Sequence, residues 1–398
     1  MPILQIFAVV IALVMIAVVL WDGFETVVLP RRVPRRFRLT RLYFVGTWTV
    51  WSTLARRSRS LGRREGVLAV YGPLALLLLL MLWAVLLIFA FALLQWGLGS
   101  QMRQPDGVAP GFGMDLYFSG TTFLTLGLGD VYPLTPLARA VTVVEVGAGF
   151  GVLALVVGYL PVLYQTFSRR ESRISLLDAH AGSPPTAGAL LQRHPPNRRA
   201  ASLTATLAEW ENWAADLLES HLSYPMLAYY RSQHEEQSWV AALTMILDTC
   251  ALILACNRNA QLDATLVEQA AYTFAMARHA AADLVQVFRP ATGATAARSP
   301  LPSRLPASEH QRLYETLLRV GMTTGGEEAK REIKREVDKL HALYEPYLAQ
   351  LGDYFLMALP PLIPARGALD DWQTTADDVT APAITTLVAH DATHAAND

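Results

Sequence analysis

Three apolar stretches limit what this chain can become. Residues 3–20, 67–98 and 136–167 carry few charges, and each is long enough to cross a bilayer. Inside lipid every backbone polar group must be satisfied within the protein, so stretches of this kind form helices. Over 398 residues the chain is 53% hydrophobic and only 17% charged, which fits a membrane protein with substantial soluble parts. The first stretch continues with interruptions to Pro30. It has no basic start and no small-residue cleavage site, so it reads as a spanning helix rather than a signal peptide.

The arginines give the direction of crossing. Arg31, Arg32, Arg35, Arg36, Arg38 and Arg41, then Arg56, Arg57, Arg59, Arg63 and Arg64, crowd residues 31–66. The positive-inside rule places this segment in the cytoplasm and the N-terminus outside. Residues 67–98 then cross outward and 136–167 return, followed by Arg169, Arg170 and Arg173 at the inner face. The expected location is a bacterial plasma membrane, with anionic lipid headgroups drawn to the belt Arg31–Arg64. Arg32, Arg35, Arg38 and Arg41 recur every third residue, but Pro30, Pro34 and the extra arginines interrupt the pattern a voltage-sensing helix needs. Residues 42–55 are short for a crossing and read as an interfacial helix, with Tyr43, Trp48 and Trp51 at headgroup level.

Between the second and third stretches lies SGTTFLTLGLGDVYP, from Ser119 to Pro133. Its centre, Thr125-Leu126-Gly127-Leu128-Gly129-Asp130, resembles the T-x-G-x-G-D selectivity filter of tetrameric potassium channels. Such a match arises by accident in on the order of one chain in a hundred of this length, and its setting between two spanning stretches adds weight. The resemblance covers about residues 67–170. It implies a helix, a re-entrant pore helix with its filter, and a second helix. It also implies K+ held by rings of backbone carbonyls from Thr125, Leu126, Gly127 and Leu128 of four chains, hence a homotetramer. The backbone chemistry is consistent with this. For successive carbonyls to face one axis, alternate residues need unusual φ, which glycine takes without steric penalty. Asp130 sits just outside the filter, where it can accept a hydrogen bond. Residues 115–124 read as the pore helix, with Asp115 as its N-cap and its C-terminal end favouring a cation.

This chain departs from the commonest family pattern at Leu124, Leu126 and Leu128, and Tyr117-Phe118 stands where a Trp pair is usual. A weakly selective cation channel therefore stays open as an alternative, as does a non-conducting, membrane-anchored signalling or scaffold protein. Gly149 lies where related pores carry a hinge glycine, and Gly158 and Pro161 follow. A gating hinge with a kink and close packing through small residues both fit. Glu145 is an acid inside the apolar third stretch. Either it supports the filter by bracing the pore helix through a hydroxyl of Ser119, Thr121 or Thr122, or it is a glutamate at the lipid interface.

The expected architecture is an all-α membrane protein: an N-terminal transmembrane helix (1–30), a basic segment (31–66), the pore module (67–170), a linker (171–201), a cytoplasmic helical domain (202–360) and a disordered tail (361–398). Helices are expected near 202–222, 225–257, 260–288, 308–321 and 326–357, with a Pro-rich loop at 290–307. Residues 238–256 are apolar enough to span, but the central Asp248 favours a buried bundle helix. Cys250 and Cys256 share one apolar run and read as core thiols. His221, His234 and His279 show no ligand spacing, and Glu235 and Glu236 beside His234 read as a solvated face. No nucleophile–base set stands out, so an enzyme is not expected. Neither a nucleic-acid partner nor any cofactor besides K+ in the filter is expected.

Overall fold

The computed structural model describes residues 3–29, 38–58, 60–103, 111–182, 185–232, 237–258, 260–288 and 304–365. The protein is an all-α membrane protein that divides into two units, Met1–Thr166 and Phe167–Asp398.

The first unit is built on α1 (Ile3–Gly23), α2 (Leu39–Arg56), α3 (Leu61–Gly97), α4 (Phe112–Phe123) and the start of α5 (Pro136–Ala181). Ala12 of α1 packs with Phe91 and Leu94 of α3, and Val141 and Ala148 of α5 close the same core. α1 ends in a π-helical turn, Phe24–Val28. There the buried Asp22 accepts from the Thr40 backbone N–H at 3.1 Å, the Thr40 hydroxyl at 2.5 Å and the Trp83 indole N–H at 3.1 Å. One carboxylate thus ties α1, α2 and α3 together.

At 37 residues α3 rises about 55 Å, well beyond the roughly 30 Å of bilayer hydrocarbon. α2 packs antiparallel along its first half: the Tyr43 hydroxyl donates to the Ala75 carbonyl at 2.9 Å, Thr47 meets Tyr71 at 2.9 Å, and the Trp51 indole donates to the Val67 carbonyl at 2.9 Å. Trp48 is buried against Tyr71. A two-residue ladder, β1 (Met102–Arg103) with β2 (Tyr132–Pro133), pairs Met102 with Pro133 and closes the segment carrying α4.

In the second unit, α5 continues to Ala181 and is followed by α6 (Ala187–Arg193), α7 (Pro196–Ser223), α8 (Trp239–Cys256), α9 (Ala264–Phe288), α10 (His310–Arg319), α11 (Glu327–Ala342) and α12 (Glu345–Phe355). α8 is the axis of this bundle, and every residue of it except Leu254 is buried. Four described helices are long and apolar enough to cross a membrane. The α8 stretch is 94% buried in protein, against 11% for the apolar part of α5. α8 is therefore a bundle core, while the apolar part of α5 is little covered by the described residues. Cys250 and Cys256 lie in this core.

Several boundaries differ from expectation. Residues 171–201 are largely helical, because Leu177, Leu190 and Leu191 bury their side chains completely. Residues 225–257 split into a 3₁₀ turn, Pro225–Tyr229, and α8, whose start is capped by the Ser238 hydroxyl accepting from the Ala241 N–H. Residues 326–357 split at Leu343–Tyr344, since Pro346 opens a new helix and cannot continue the old one. At the C-terminal end, Leu362 and Ile363 are buried, and the Leu362 carbonyl accepts from the Gly188 N–H at 2.8 Å, so the packed chain reaches past residue 360. The rest of the expected tail lies outside the described residues, as do most of the Pro-rich loop, His234, Glu235, Glu236 and Arg31, Arg32, Arg35, Arg36 and Arg59.

Candidate pore site

α4 is a three-turn helix set between α3 and α5. It begins at Phe112, three residues before the expected start, so Asp115 falls in its first turn rather than at the cap. Its C-terminal end is unwound by the chain that follows. The Thr121 carbonyl accepts from both the Leu126 N–H at 2.8 Å and the Gly127 N–H at 3.3 Å. From there the backbone takes a left-handed conformation at every second residue: φ is +58° at Thr125, +56° at Gly127 and +77° at Gly129. An alternation of this kind turns successive peptide planes so that carbonyls no longer point to opposite sides. Two of the three positions are glycine, which has no Cβ to resist. Thr125 pays for the same conformation with steric strain. Leu124 through Asp130 are exposed in the single chain, with Leu126 and Leu128 at 62% and 64%.

Asp130 is held by its own loop and by α4. Its carboxylate accepts from the Tyr117 hydroxyl at 2.9 Å and from the Val131 N–H at 3.0 Å. The sequence marked Tyr117 only as a departure from a Trp pair. What it could not show is that the Tyr117 phenol lies on the helix face that meets Asp130.

Behind α4, Ser119 is completely buried and meets Glu145, which is also completely buried. The three hydroxyls expected near Glu145 therefore separate. Ser119 reaches it, whereas the Thr121 hydroxyl donates to the Phe118 carbonyl of its own helix at 3.0 Å. Thr122 is buried as well. Gln95, which the sequence did not single out, joins α3 to α5. Its amide donates to the Ala138 carbonyl at 3.2 Å and its oxygen accepts from Ser100 at 2.6 Å.

Gly149 is a contact before it is anything else. A Cβ placed on it would lie 2.2 Å from the Phe123 carbonyl oxygen at the end of α4. Only a glycine lets α5 pass that carbonyl, which favours the close-packing account of this residue. Gly158 has open space around it, and α5 runs unbroken through Gly158 and Pro161. Within the basic belt, Arg38 pairs with Glu25 at 3.4 Å and donates to the Thr26 hydroxyl at 3.1 Å.

The family described as Ion channel matches residues 75–165, which run from α3 through α4 and the loop that follows it to the end of the first unit. An uncharacterized membrane protein, YdjJ, of Bacillus subtilis (strain 168) is 28% identical over 188 residues, 46% of this chain. The chain spans about half (54%) of that relative's length. No solved structure matches. These similarities support an ion-channel domain within a membrane protein.

Proposed function

We propose that this chain is a potassium channel, passing K+ through a pore that four copies build around one axis. The observation that carries the reading is the left-handed backbone at Thr125, Gly127 and Gly129, at the end of a short helix between two apolar ones. In this reading four loops present their carbonyls as rings that replace the ion's hydration shell. The C-terminal dipole of each α4 adds negative potential at the inner mouth. One chain holds one such loop, so the rings require a closed four-fold assembly. The filter is Thr125 to Asp130, and Tyr117 steadies its outer end through Asp130. Gly149 lets α5 approach the end of α4. The second unit is the cytoplasmic domain for assembly or regulation. The arginine belt faces anionic lipid on the same side of a plasma membrane. Such a protein is a passive transporter rather than an enzyme.

The exposed Leu126 and Leu128 sustain the second reading, a cation pathway of low selectivity. Flux from vesicles loaded with K+ or Na+ tests both. Wild type releases K+ in strong preference to Na+, and Gly127→Ala abolishes release while still assembling, because a Cβ resists the +56° φ. Equal K+ and Na+ flux replaces the first reading with the second. Unchanged K+ flux in Gly127→Ala refutes carbonyl coordination at this loop.

A further inference from the structure

Ser119 stands where three helices meet. Its Oγ lies 2.7 Å from the Ile88 carbonyl oxygen of α3 and within hydrogen-bond reach of Glu145 Oε1 of α5. A serine hydroxyl owns one proton and can donate only once. If Glu145 were a carboxylate, it and the Ile88 carbonyl would compete for that proton. One contact would then place two oxygens together with nothing between them. Both contacts are satisfied together in one arrangement: the Glu145 acid O–H donates to Ser119 Oγ, and the Ser119 O–H donates to the Ile88 carbonyl.

The other oxygen agrees. Glu145 Oε2 is buried and has no hydrogen-bond partner among the described residues. Leaving half of an ionised carboxylate without a donor in apolar surroundings is far costlier than leaving a neutral acid's carbonyl so. The neighbouring helices supply no counter-charge. On α5 the nearest cation, Arg139, donates to the Pro133 carbonyl at 3.1 Å. On α4 the ionisable groups are Asp115, one turn before Ser119 and itself an acid, and Tyr117, which is bonded to Asp130. α3 has Tyr71 as its ionisable group beyond Glu65, and on α1 and its π turn Asp22 and Glu25 are engaged at the far end.

We propose that Glu145 holds a proton and works as a neutral donor, making a relay Glu145 O–H to Ser119 O–H to Ile88 C=O that binds α5, α4 and α3 together behind the filter. Glu145 is a positioning residue acting through Ser119. The protonation stands on the hydrogen-bond count, and only its consequence for conduction rests on the channel reading.

Infrared difference spectra of the full chain in lipid vesicles at neutral pH, wild type minus Glu145→Gln, test the proton directly. A protonated carboxylic acid carbonyl band that disappears in the variant is the expected result, and a carboxylate band in its place overturns the proposal. Flux then tests the relay. Gln keeps a donor, so Glu145→Gln retains K+ flux and K+ over Na+ preference. Glu145→Val and Ser119→Ala lose about tenfold, the factor set by one buried hydrogen bond. Gln and Val variants equally impaired would overturn the relay. If wild type carries no ion at all, the channel reading fails while the infrared band still decides the proton.

Discussion

Glu145 in α5 and Asp248 in α8 are each an acid in the middle of an apolar helix, and each is completely buried. Their surroundings differ in kind. Asp248 receives both arms of the Arg304 guanidinium, at 2.7 and 2.8 Å, and the Tyr344 hydroxyl at 2.5 Å. Arg304 also donates to Glu345 at 3.0 Å and to the Pro360 carbonyl at 2.9 Å. Burial first, and then the Asp248 carboxylate, push the Tyr344 phenol well above its ordinary value, so it remains a donor. Glu145 has one hydroxyl and no cation. The bundle thus keeps a charge inside by bringing in Tyr344, just before α12, and Arg304, from the segment before α10. Around Glu145 the neighbouring helices are apolar, and the contact it makes is with the Ser119 hydroxyl. A buried acid therefore says little until its partners are known.

The comparison breaks most sharply at Arg304. Arg304→Met leaves Asp248 buried and without its counter-charge, and removing one member of a buried pair costs roughly 3–5 kcal/mol. Denaturant unfolding of the full chain in detergent is expected to show that loss in the second unit. Replacing the whole cluster with apolar residues, as in Asp248→Leu with Arg304→Met and Tyr344→Phe, should recover most of it. A triple variant no better than the single one would mean that the pair does not set the stability of α8.

A smaller effect is expected at Gly149, where α5 passes close to the end of α4. Gly149→Ala sets a methyl against the Phe123 carbonyl, and overpacking of this kind costs about 1–3 kcal/mol. Lower thermal stability of the full chain in detergent, together with reduced ion flux from vesicles, is the expected outcome. Full stability with altered opening alone would return Gly149 to the role of a hinge.

A last effect, read only between pH 6.5 and 5, concerns His221, again in the bundle. Its Nδ1–H donates to the Leu217 carbonyl at 2.8 Å, so Nε2 accepts from Arg170 at 3.2 Å. Burial, with Arg170 beside it, pushes the imidazole down from 6.5 to about 3. Above pH 6.5 the ring is neutral in both folded and unfolded chains, and the contribution to stability is fully present. As pH falls from 6.5 toward 3, only the unfolded chain takes up the proton, so stability declines by about 1.4 kcal/mol per pH unit for this one site. Between pH 6.5 and 5, His221→Gln should show a flatter stability profile than wild type. Parallel profiles would remove His221 from the account.

Much of the pore was open to a reader of residues. Apolar length placed α1, α3 and α5, because only helices satisfy their backbone in lipid. The spacing of Gly127 and Gly129 pointed to the alternating backbone, because φ preference belongs to the residue itself, whereas the same conformation at Thr125 runs against its own preference and did not follow from the sequence. The apolar run at 238–256 with its central Asp248 pointed to a buried bundle helix for the same kind of reason. Local chemistry determined these features. Pairing over distance did not follow from it. Nothing in the residue order says that Ser119 rather than Thr121 or Thr122 meets Glu145, that Tyr117 holds Asp130, or that Arg304 crosses 56 positions to reach Asp248. Nor could it say that residues 171–201 would be helical and packed, since a Pro-rich stretch orders only when a neighbouring surface buries its leucines. Those contacts depend on where whole helices come to lie, and the tertiary structure alone decided them.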